Sequence, residues 1–282
     1  MTRYFSIIIA LFSFGSICAQ QAQIKVGYDH ITTIDEHTRT DDYILLSGHQ
    51  GSMFFNPTAL WMDITSKDDA ARQAYGAMAS KLAEAGRHGE IPNRTVSMYV
   101  FKDFDSQLKT VYDDYSDQFA VYTEPFDEMQ WEVVEDSTRN VLGYDCVMAR
   151  TSYHGRDWTV WFAPEIPLHD GPWKFAGLPG LVLQATESCG MYMFIANGIE
   201  TTTQDIPGMV RADWYHKEDR KKYLKGKYKH LKDPLADLAG GNLPMNAKVF
   251  VNGEPTTREE LTNRARKMLD AGFDYLETDY HE

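Results

Sequence analysis

The chain contains little cysteine. Only three of its 282 residues are cysteines, and only Cys146 and Cys189 lie outside the N-terminal segment. An oxidising compartment would permit a disulfide between them. The strand pattern, however, places Cys146 near the start of one predicted strand and Cys189 past the end of a second, two positions along a meander, and strands two apart lie roughly 10 Å from each other. Because bridged Cα atoms lie within about 7 Å, we favour two free thiols.

Local signatures of catalysis and metal binding are also missing. The nine histidines are scattered, and no H-x-H, H-E-x-x-H or paired C-x-x-C occurs, although metal sites need ligands at such spacings. GHQGS at residues 48–52 lacks the G-x-S-x-G order of a hydrolase nucleophile, and no glycine-rich phosphate loop follows a strand. His169-Asp170 is the best isolated pair, and we expect it to be a surface or capping pair. The sequence therefore predicts no catalytic residue, no metal and no cofactor.

Positive charge is in the minority. Lys and Arg number 28 against 41 Asp and Glu, a net charge of −13 that repels nucleic acid. The exception is the segment of residues 216–232, HKEDRKKYLKGKYKHLK, which carries eight Lys or Arg residues. It is either a solvated helix or a docking face for an anionic partner or membrane headgroups. A docking face would use Lys221, Lys222, Lys225 and Lys227.

The N-terminus has the order of a secretory signal peptide. Arg3 precedes an apolar run over residues 4–14, and small residues lead to Ala19. Lipidation at Cys18 is the alternative, but Ile17 is bulky where a lipoprotein signal has a small residue. We therefore expect cleavage after Ala19 and a protein of the periplasm, the cell surface or the extracellular space. No later apolar stretch approaches membrane-spanning length.

Short strand patterns dominate residues 94–198, separated by Gly, Pro, Asp and Asn at hairpin intervals. A helix is predicted to begin at Ser66 and to end before Gly86, with an alanine-rich face that packs on the sheet. The tail is helical again. This order predicts an α+β fold with a curved, mostly antiparallel meander sheet. We expect a signal peptide at 1–19, a β-rich domain at 20–212, and a helical extension at 213–282 packed on the same domain.

One segment has a distinctive motif. GPWKFAGLPGLVL at residues 171–183 follows GY-x-C, GR-x-W-x-x-W and EIP elements within residues 143–167. With the looser segments LLSGHQGSMFF and QWEVV, it resembles the GLPGLI family of exported bacterial proteins, with Val182 in place of Ile. The resemblance implies export and a β-rich fold. It transfers no catalytic residue, because no biochemical function is established for that family.

Within this motif, Leu178-Pro179-Gly180-Leu181 suits a type II turn, with Gly180 at the position that requires a positive φ. The turn and its aromatic neighbours are either ordinary core or the lip of an apolar cavity that binds a ligand or partner. The candidate binding residues are Trp158, Trp161, Trp173, Phe175, Leu178, Pro179, Gly180 and Leu181. The charged residues Arg156, Glu165 and Lys174 are expected to form a buried ion pair that fixes this segment.

The sequence therefore favours an exported envelope protein with a non-enzymatic binding or carrier role for a hydrophobic ligand or a partner protein. One alternative is an accessory or assembly factor that docks a membrane protein through residues 216–232. Another is an unrecognised hydrolase, because sites assembled from distant residues leave no local motif.

We predict that the mature protein begins at Gln20, because the small Ala19 suits the cleavage pocket. N-terminal sequencing of the protein purified from the cell envelope checks this. Incorporation of labelled palmitate at Cys18 would contradict it.

Overall fold

One large curved sheet carries the fold. The computed structural model describes residues 20–94, 98–126, 129–236, 243–251 and 254–281. Within these ranges, twelve strands form an unclosed sheet in the order β12-β6-β5-β4-β3-β2-β1-β11-β10-β9-β8-β7. Neighbouring strands are antiparallel except for the short parallel pair of β12 and β6. The strands are β1 (Ile24–Ile34), β2 (His37–Ser47), β3 (Gly51–Phe55), β4 (Tyr99–Asp103), β5 (Leu108–Tyr115), β6 (Gln118–Pro125), β7 (Glu132–Val141), β8 (Tyr144–Tyr153), β9 (Arg156–Ala163), β10 (Leu181–Glu187), β11 (Tyr192–Thr201) and β12 (His216–Lys217).

The connection between β6 and β7 requires the sheet to curl. These strands are ten neighbours apart in the sheet order, which is about 48 Å in a flat sheet. The seven steps from Pro125 to Glu132 span roughly 25 Å at full extension. The inner face is therefore strongly concave, and side chains meet across it: Lys109 Nζ on β5 donates to the hydroxyl of Tyr153 on β8 at 2.9 Å.

Four α-helices and a small hairpin accompany this sheet in the described part of the chain. The helices are α1 (Pro57–Thr65), α2 (Asp69–Glu84), α3 (Arg220–Lys232) and α4 (Arg258–Asp270), and the hairpin joins β13 (Lys248–Val251) to β14 (Glu254–Thr257). None of the described helices combines the length and the hydrophobicity of a bilayer-spanning segment. Strands make up 42% of the structure and helices 24%, which confirms the mixed, mostly antiparallel, β-rich prediction. The domain boundaries stay predictions, and the signal peptide lies outside the described residues.

The strand alternation produces two apolar clusters. Tyr28, Tyr43 and Phe54 belong to the large cluster on the inner face. The smaller cluster lies on the outer face, where Met53 and Phe55 of β3 pack with Ala59 of α1. Because successive side chains of a strand point to opposite faces, β3 contributes to both clusters.

Helix α2 differs from its prediction. Its N-cap is Asp68, whose side chain accepts from the Ala71 amide, whereas Ser66 is the C-cap of α1. None of its residues is buried. Tyr75 makes an edge contact with Trp61 of α1, so the apolar stripe faces another helix. The prediction that the alanine-rich face is buried on the sheet is wrong.

The two cysteines are free, as favoured from the sequence. Cys146 is buried on β8, and Cys189 is exposed beyond the end of β10. Strand β9 lies between β8 and β10, which separates the two thiols by more than disulfide geometry allows.

The turn at Leu178–Leu181 also differs from its prediction. Gly180 does not have a positive φ; Gly177 does, with φ of 91°. Gly180 is required for space instead, because a Cβ there would lie 2.4 Å from the carbonyl oxygen of Ala163. The loop that precedes β10 therefore lies directly against the end of β9. Type II turn geometry was the wrong reason for the glycine.

We predict that Gly180→Ala lowers the free energy of unfolding by about 1–3 kcal/mol, the usual cost of forcing extra atoms into a packed site. Gly208→Ala is the matched control, since a Cβ at Gly208 meets nothing within 4 Å. Urea denaturation of both variants measures the difference. Equal stability of the two variants would show that the backbone around Gly180 and Ala163 moves apart to accommodate a Cβ at no measurable cost.

Candidate functional site

A cavity of about 650 Å³ lies on the inner face of the sheet. Its floor comes from β1, β2, β5 and β6, and its cover comes from α3, α4 and residues 273–277. Most of the lining side chains are aromatic or aliphatic. They include Tyr43, Met98, Tyr115, Tyr122, Trp173, Tyr192, Leu224, Met268, Phe273, Tyr275 and Leu276.

The cover is attached to the sheet by polar contacts at its edges. The hydroxyl of Tyr192 on β11 donates to the carbonyl oxygen of Asp274 at 2.6 Å. The guanidinium of Arg156 on β9 donates to the carbonyl oxygen of Tyr275 at 2.6 Å. Lys227 of α3 forms an ion pair with Asp113 of β5 at 2.5 Å. These contacts position apolar side chains over the cavity.

His30 lies in the floor of the cavity and is 7% exposed. It occupies an inner-face position of β1, two residues after the buried Tyr28. Its ring stacks on Phe194 with centroids 4.5 Å apart and meets Tyr43 edge to face. Neither ring nitrogen has a hydrogen-bond partner among the described residues. Burial, and secondarily the positive charge of Arg39, lower the pKa of His30 to about 4, so the imidazole is neutral near pH 7.

Trp173 is the motif residue that reaches this cavity. It is fully buried, and it packs against Trp158 and Phe175. Its backbone has φ of 50°, a region that bulky side chains rarely adopt. Its indole Nε1 has no hydrogen-bond partner within the described ranges. Strained backbone of this kind persists only where the surrounding packing enforces it.

A buried cluster of charges lies beside the cavity. The ammonium of Lys174, which has no exposed surface, pairs with Glu124 of β6 and lies 2.6 Å from Glu277 of the cover. Arg220 of α3 contacts the same two carboxylates at 3.2 and 2.6 Å. His154 Nε2 lies 2.6 Å from Glu124 Oε1. The cluster therefore joins the sheet, the cover and the motif loop, which is the segment of residues 164–180 between β9 and β10.

This environment changes the acidity of Glu124. Burial alone would raise the pKa of its carboxyl group, but the Lys174 ammonium and His154 outweigh burial and hold the pKa well below its ordinary value. Glu124 is therefore ionised in the folded protein at neutral pH.

The same cluster contains the best metal-ligand geometry among the described residues. One ligand atom from each of Glu124, His154 and Glu277 lies within 4.8 Å of the others. Lys174 and Arg220 already supply positive charge to both carboxylates. A divalent ion would bring further positive charge beside a buried ammonium, so these residues fit an internal ion cluster better than a metal site.

A second buried pair holds the motif loop. Lys102 Nζ donates to Asp170 Oδ1 at 2.6 Å and to the carbonyl oxygens of Gly171 and Phe175 at 2.6 and 2.9 Å. The three donors of the ammonium are thereby satisfied. Ser47 donates to the other oxygen of Asp170. Of the expected surface or capping pair His169-Asp170, the surface location is wrong for Asp170, which is 1% exposed, although Asp170 Oδ1 does accept from the Gly171 amide at 2.8 Å.

The structure separates the residues proposed from the motif. Trp158, Phe175, Leu178 and Leu181 are buried in the core. Pro179 is exposed, and Gly180 lies against β9. Trp161 is half-buried on the opposite face of β9 from Trp158, where Arg139 lies over its ring. Binding through these eight residues stays a prediction, and of the eight only Trp173 lines the cavity.

The two cations of the motif, Arg156 and Lys174, are paired, but with carboxylates outside the motif. Lys174 meets Glu124 and Glu277, Arg156 meets Glu187 at 3.4 Å, and Glu165 is exposed. The expectation of an ion pair formed by Arg156, Glu165 and Lys174 is therefore wrong: the two buried cations pair with Glu187, Glu124 and Glu277 of other segments.

The basic helix has two different faces. Lys222 and Lys225 are exposed, and Lys221 is half-buried. Lys227 is 19% exposed and paired with Asp113. Lys227 therefore belongs to the cavity wall, and its inclusion in a docking face was wrong. Docking through the remaining three lysines stays a prediction.

Most lining residues were missed by sequence reasoning. His30 was detectable in principle, because Val26, Tyr28 and His30 alternate along β1 and share one face. The cover residues were not detectable in this way, since Phe273 and Tyr275 reach the cavity only through tertiary packing.

One family model matches part of this chain. A family model described as "Protein of unknown function (Porph_ging)" matches residues 104–184, less than a third of the chain. The match includes the motif at residues 171–183, but it does not confirm the GLPGLI name, and it assigns no activity. A comparison with curated proteins finds no match.

Several solved structures are similar at low identity. PNGF-II, in a C2 crystal form, has a TM-score of 0.47 and 12% identity; the match covers 74% of this chain and 33% of PNGF-II. The chain therefore spans about a third of the PNGF-II structure it matches. A putative outer membrane lipoprotein-sorting protein domain from Vibrio parahaemolyticus has a TM-score of 0.28 and 7% identity, with coverage of 68% and 89%. A DUF1329 family protein from Desulfovibrio piger has a TM-score of 0.24 and 8% identity, with coverage of 70% and 90%. At these scores, the likenesses assign no activity to this chain.

We predict that Lys174→Met lowers the free energy of unfolding by about 3–5 kcal/mol, because it leaves Glu124 and Glu277 buried with less positive charge. Lys222→Met is the control: Lys222 pairs with Glu218 at the surface, so its loss leaves stability nearly unchanged. Urea denaturation at neutral pH measures both variants. Similar midpoints for the two would contradict the dependence on Lys174.

A further prediction concerns acid. A carboxyl group whose folded-state pKa is depressed stabilises the fold above its unfolded-state pKa and loses that contribution as the pH falls through the folded-state pKa. The unfolding free energy should therefore decline as the pH falls below 4.5, the ordinary pKa of Glu124. Glu124→Gln should flatten this decline, whereas Glu165→Gln, at an exposed position, should not. Denaturation midpoints measured across the acid range compare the variants.

Proposed function

We propose that this chain is an exported, non-enzymatic carrier or binding protein that holds a hydrophobic ligand in the inner-face cavity. The observation that carries the proposal is the cavity itself. Its volume of about 650 Å³ lies within the roughly 300–1,000 Å³ of small-molecule sites, and its aromatic and aliphatic lining is typical of them. Location in the cell envelope rests on the signal peptide predicted at residues 1–19.

The contacts around the cavity support a site that is formed before a ligand arrives. The Lys174 cluster and the Lys227–Asp113 pair hold the cover at a fixed position over the sheet. These ion pairs set the distance between the floor and the cover. The apolar side chains of the lining therefore do not collapse into the space between them. A preformed cavity binds with less loss of conformational entropy.

The chemistry of the floor favours binding over hydrolysis. His30 is the histidine in the buried part of the cavity, and its nitrogens contact no hydroxyl, thiol or carboxylate of the described residues. A general base activates a nucleophile through a hydrogen bond to it, and a third group orients the base through a second hydrogen bond. The hydrolase alternative has no support at this site.

The docking alternative remains a separate proposal. Lys222 and Lys225 present positive charge to solvent on α3, and they would contact an anionic partner without disturbing the cavity. Lys222 already pairs with Glu218, which offsets part of the positive charge of this face. The cavity therefore supports a function more strongly than the helix does.

We predict that Thr32→Trp weakens binding of the neutral fluorophore N-phenyl-1-naphthylamine, because Thr32 lines the cavity and the larger side chain would occupy part of it. Thr33→Trp is the matched control, since Thr33 is the next residue of β1 and does not line the cavity. Fluorescence titration measures binding, and native mass spectrometry of the envelope-purified protein identifies co-purifying ligand. Failure of the wild-type protein to bind the fluorophore, or equal loss in both variants, would refute the carrier function.

A further inference from the structure

The exposure of the cavity lining increases along the hairpin of β1 and β2. The strand register places three opposing pairs of lining residues on its inner face: His30 opposite Asp41, Thr32 opposite Arg39, and Ile34 opposite His37. His30 is buried, Thr32 and Ile34 are half-buried, and Arg39 and His37 are exposed. The hairpin therefore runs from the interior of the cavity to its surface.

The exposed lining residues lie together at the tip of this hairpin. They are His37, Thr38 and Arg39, and the other described residues of the lining are buried or half-buried. The Arg39 side chain is 55% exposed and lies 2.7 Å from Asp41. The mouth of the cavity is therefore at the hairpin tip, and polar side chains form its edge.

The interior of the cavity is aromatic and offers no partner to a charged group. Its most buried walls are Tyr43, Tyr122, Trp173 and Tyr192, each at most 4% exposed. Half-buried apolar side chains add to the lining: Met98, Tyr115, Met268, Phe273, Tyr275 and Leu276. The two buried carboxylates of the lining, Asp113 and Glu277, already pair with Lys227 at 2.5 Å and Lys174 at 2.6 Å. A charge that entered would lose its water without gaining a counter-ion among the described residues, which is costly.

We propose that the ligand is an amphiphile that binds with its apolar chain inside the cavity and its polar head group at the mouth, beside Arg39. This inference rests on the proposed carrier function, and it specifies the class of ligand and its orientation. Burial of the chain contributes most of the affinity. The head group stays in contact with water at the hairpin tip, so the cost of removing it from water is avoided.

Two spin-labelled fatty acids test the orientation, because a nitroxide quenches tryptophan fluorescence only at short range. In 5-doxylstearate the nitroxide lies near the carboxylate, and in 16-doxylstearate it lies near the methyl end. Trp173 forms part of the buried wall and packs against Trp158. At saturation, 16-doxylstearate should therefore quench the wild-type protein more strongly than 5-doxylstearate does. Stronger quenching by 5-doxylstearate, or equal quenching by both, would overturn the inference.

His37→Trp adds a reporter at the mouth. The fluorescence that this variant gains over the wild-type protein should be quenched more strongly by 5-doxylstearate, the reverse of the wild-type order. His49→Trp is the matched control, because His49 is another exposed histidine and lies beyond the opposite end of β2, roughly 30 Å along the strand. Its added fluorescence should be quenched by neither probe. Similar quenching of the two added tryptophans would indicate binding outside the cavity and overturn the inference.

Hexadecanoate and hexadecanedioate give an independent test with unlabelled probes. The two have chains of equal length, but hexadecanedioate has a carboxylate at each end, so a charged end would have to enter the aromatic interior. Displacement of N-phenyl-1-naphthylamine from the wild-type protein should show about tenfold weaker binding of hexadecanedioate. Equal affinities would overturn the inference, because the chain would then lie across the mouth with both ends in water.

The outcomes separate the two proposals. If the probes bind but the nitroxide position has no effect or the reverse effect, the inference fails and the carrier function stands. If the fluorophore and all four fatty acids fail to bind the wild-type protein, the carrier function fails as well. If His37→Trp does not fold, the comparison of the two spin-labelled probes on the wild-type protein still decides.

Discussion

The Lys174 ammonium connects the three parts of this molecule. Its side chain extends from the motif loop to Glu124 on β6 and Glu277 in the C-terminal cover, and it has no exposed surface. A buried cation is tolerated only with close anionic partners, and removal of a partner leaves a charge that water cannot reach. The loop, the sheet edge and the cover must therefore adopt their mutual arrangement together. Arg220 of α3 contacts the same carboxylates and extends this dependence to the basic helix.

The cavity follows from that constraint. The cover is held at its polar edges, by Arg220, Lys227 and Arg156, while its apolar side chains face the aromatic floor. Most residues of the motif support the surrounding structure and do not line the cavity. Lys102 binds the backbone of the motif and Gly180 lies against β9, so most of the motif has a structural role. Trp173 is the motif residue that lines the cavity, and its left-handed backbone lies next to Lys174. The two interpretations of the motif, core and cavity lip, therefore apply to different residues of it.

Several sequence predictions failed for one physical reason. Gly180 was assigned to a turn conformation, Asp170 to a surface or capping pair and Lys227 to a docking face, each from its local neighbours. In the structure, Gly180 meets Ala163, Asp170 meets Lys102, and Lys227 meets Asp113. Each of these partners is distant in sequence, and local composition carries no information about which distant strand or loop will lie opposite. Helix α2 gives a further example. Its apolar stripe correctly predicted a helix, but it did not predict that the stripe contacts α1.

The sequence by itself determined the class of fold. Alternating apolar residues and turn residues at hairpin intervals specify strands through backbone geometry, and the stripe before Gly86 specifies a helix, so the mixed, mostly antiparallel architecture was predictable. The placement of the few cysteines and the scarcity of metal-ligand motifs also led to the predictions of free thiols and of no metal site. Only the tertiary structure decided the candidate site. His30 of β1, Trp173 of the motif and Tyr275 of the cover lie far apart in the chain, and they share one cavity because the sheet curls and buried charges attach the cover. Curvature and charge pairing depend on contacts across the whole sheet, which no local pattern encodes.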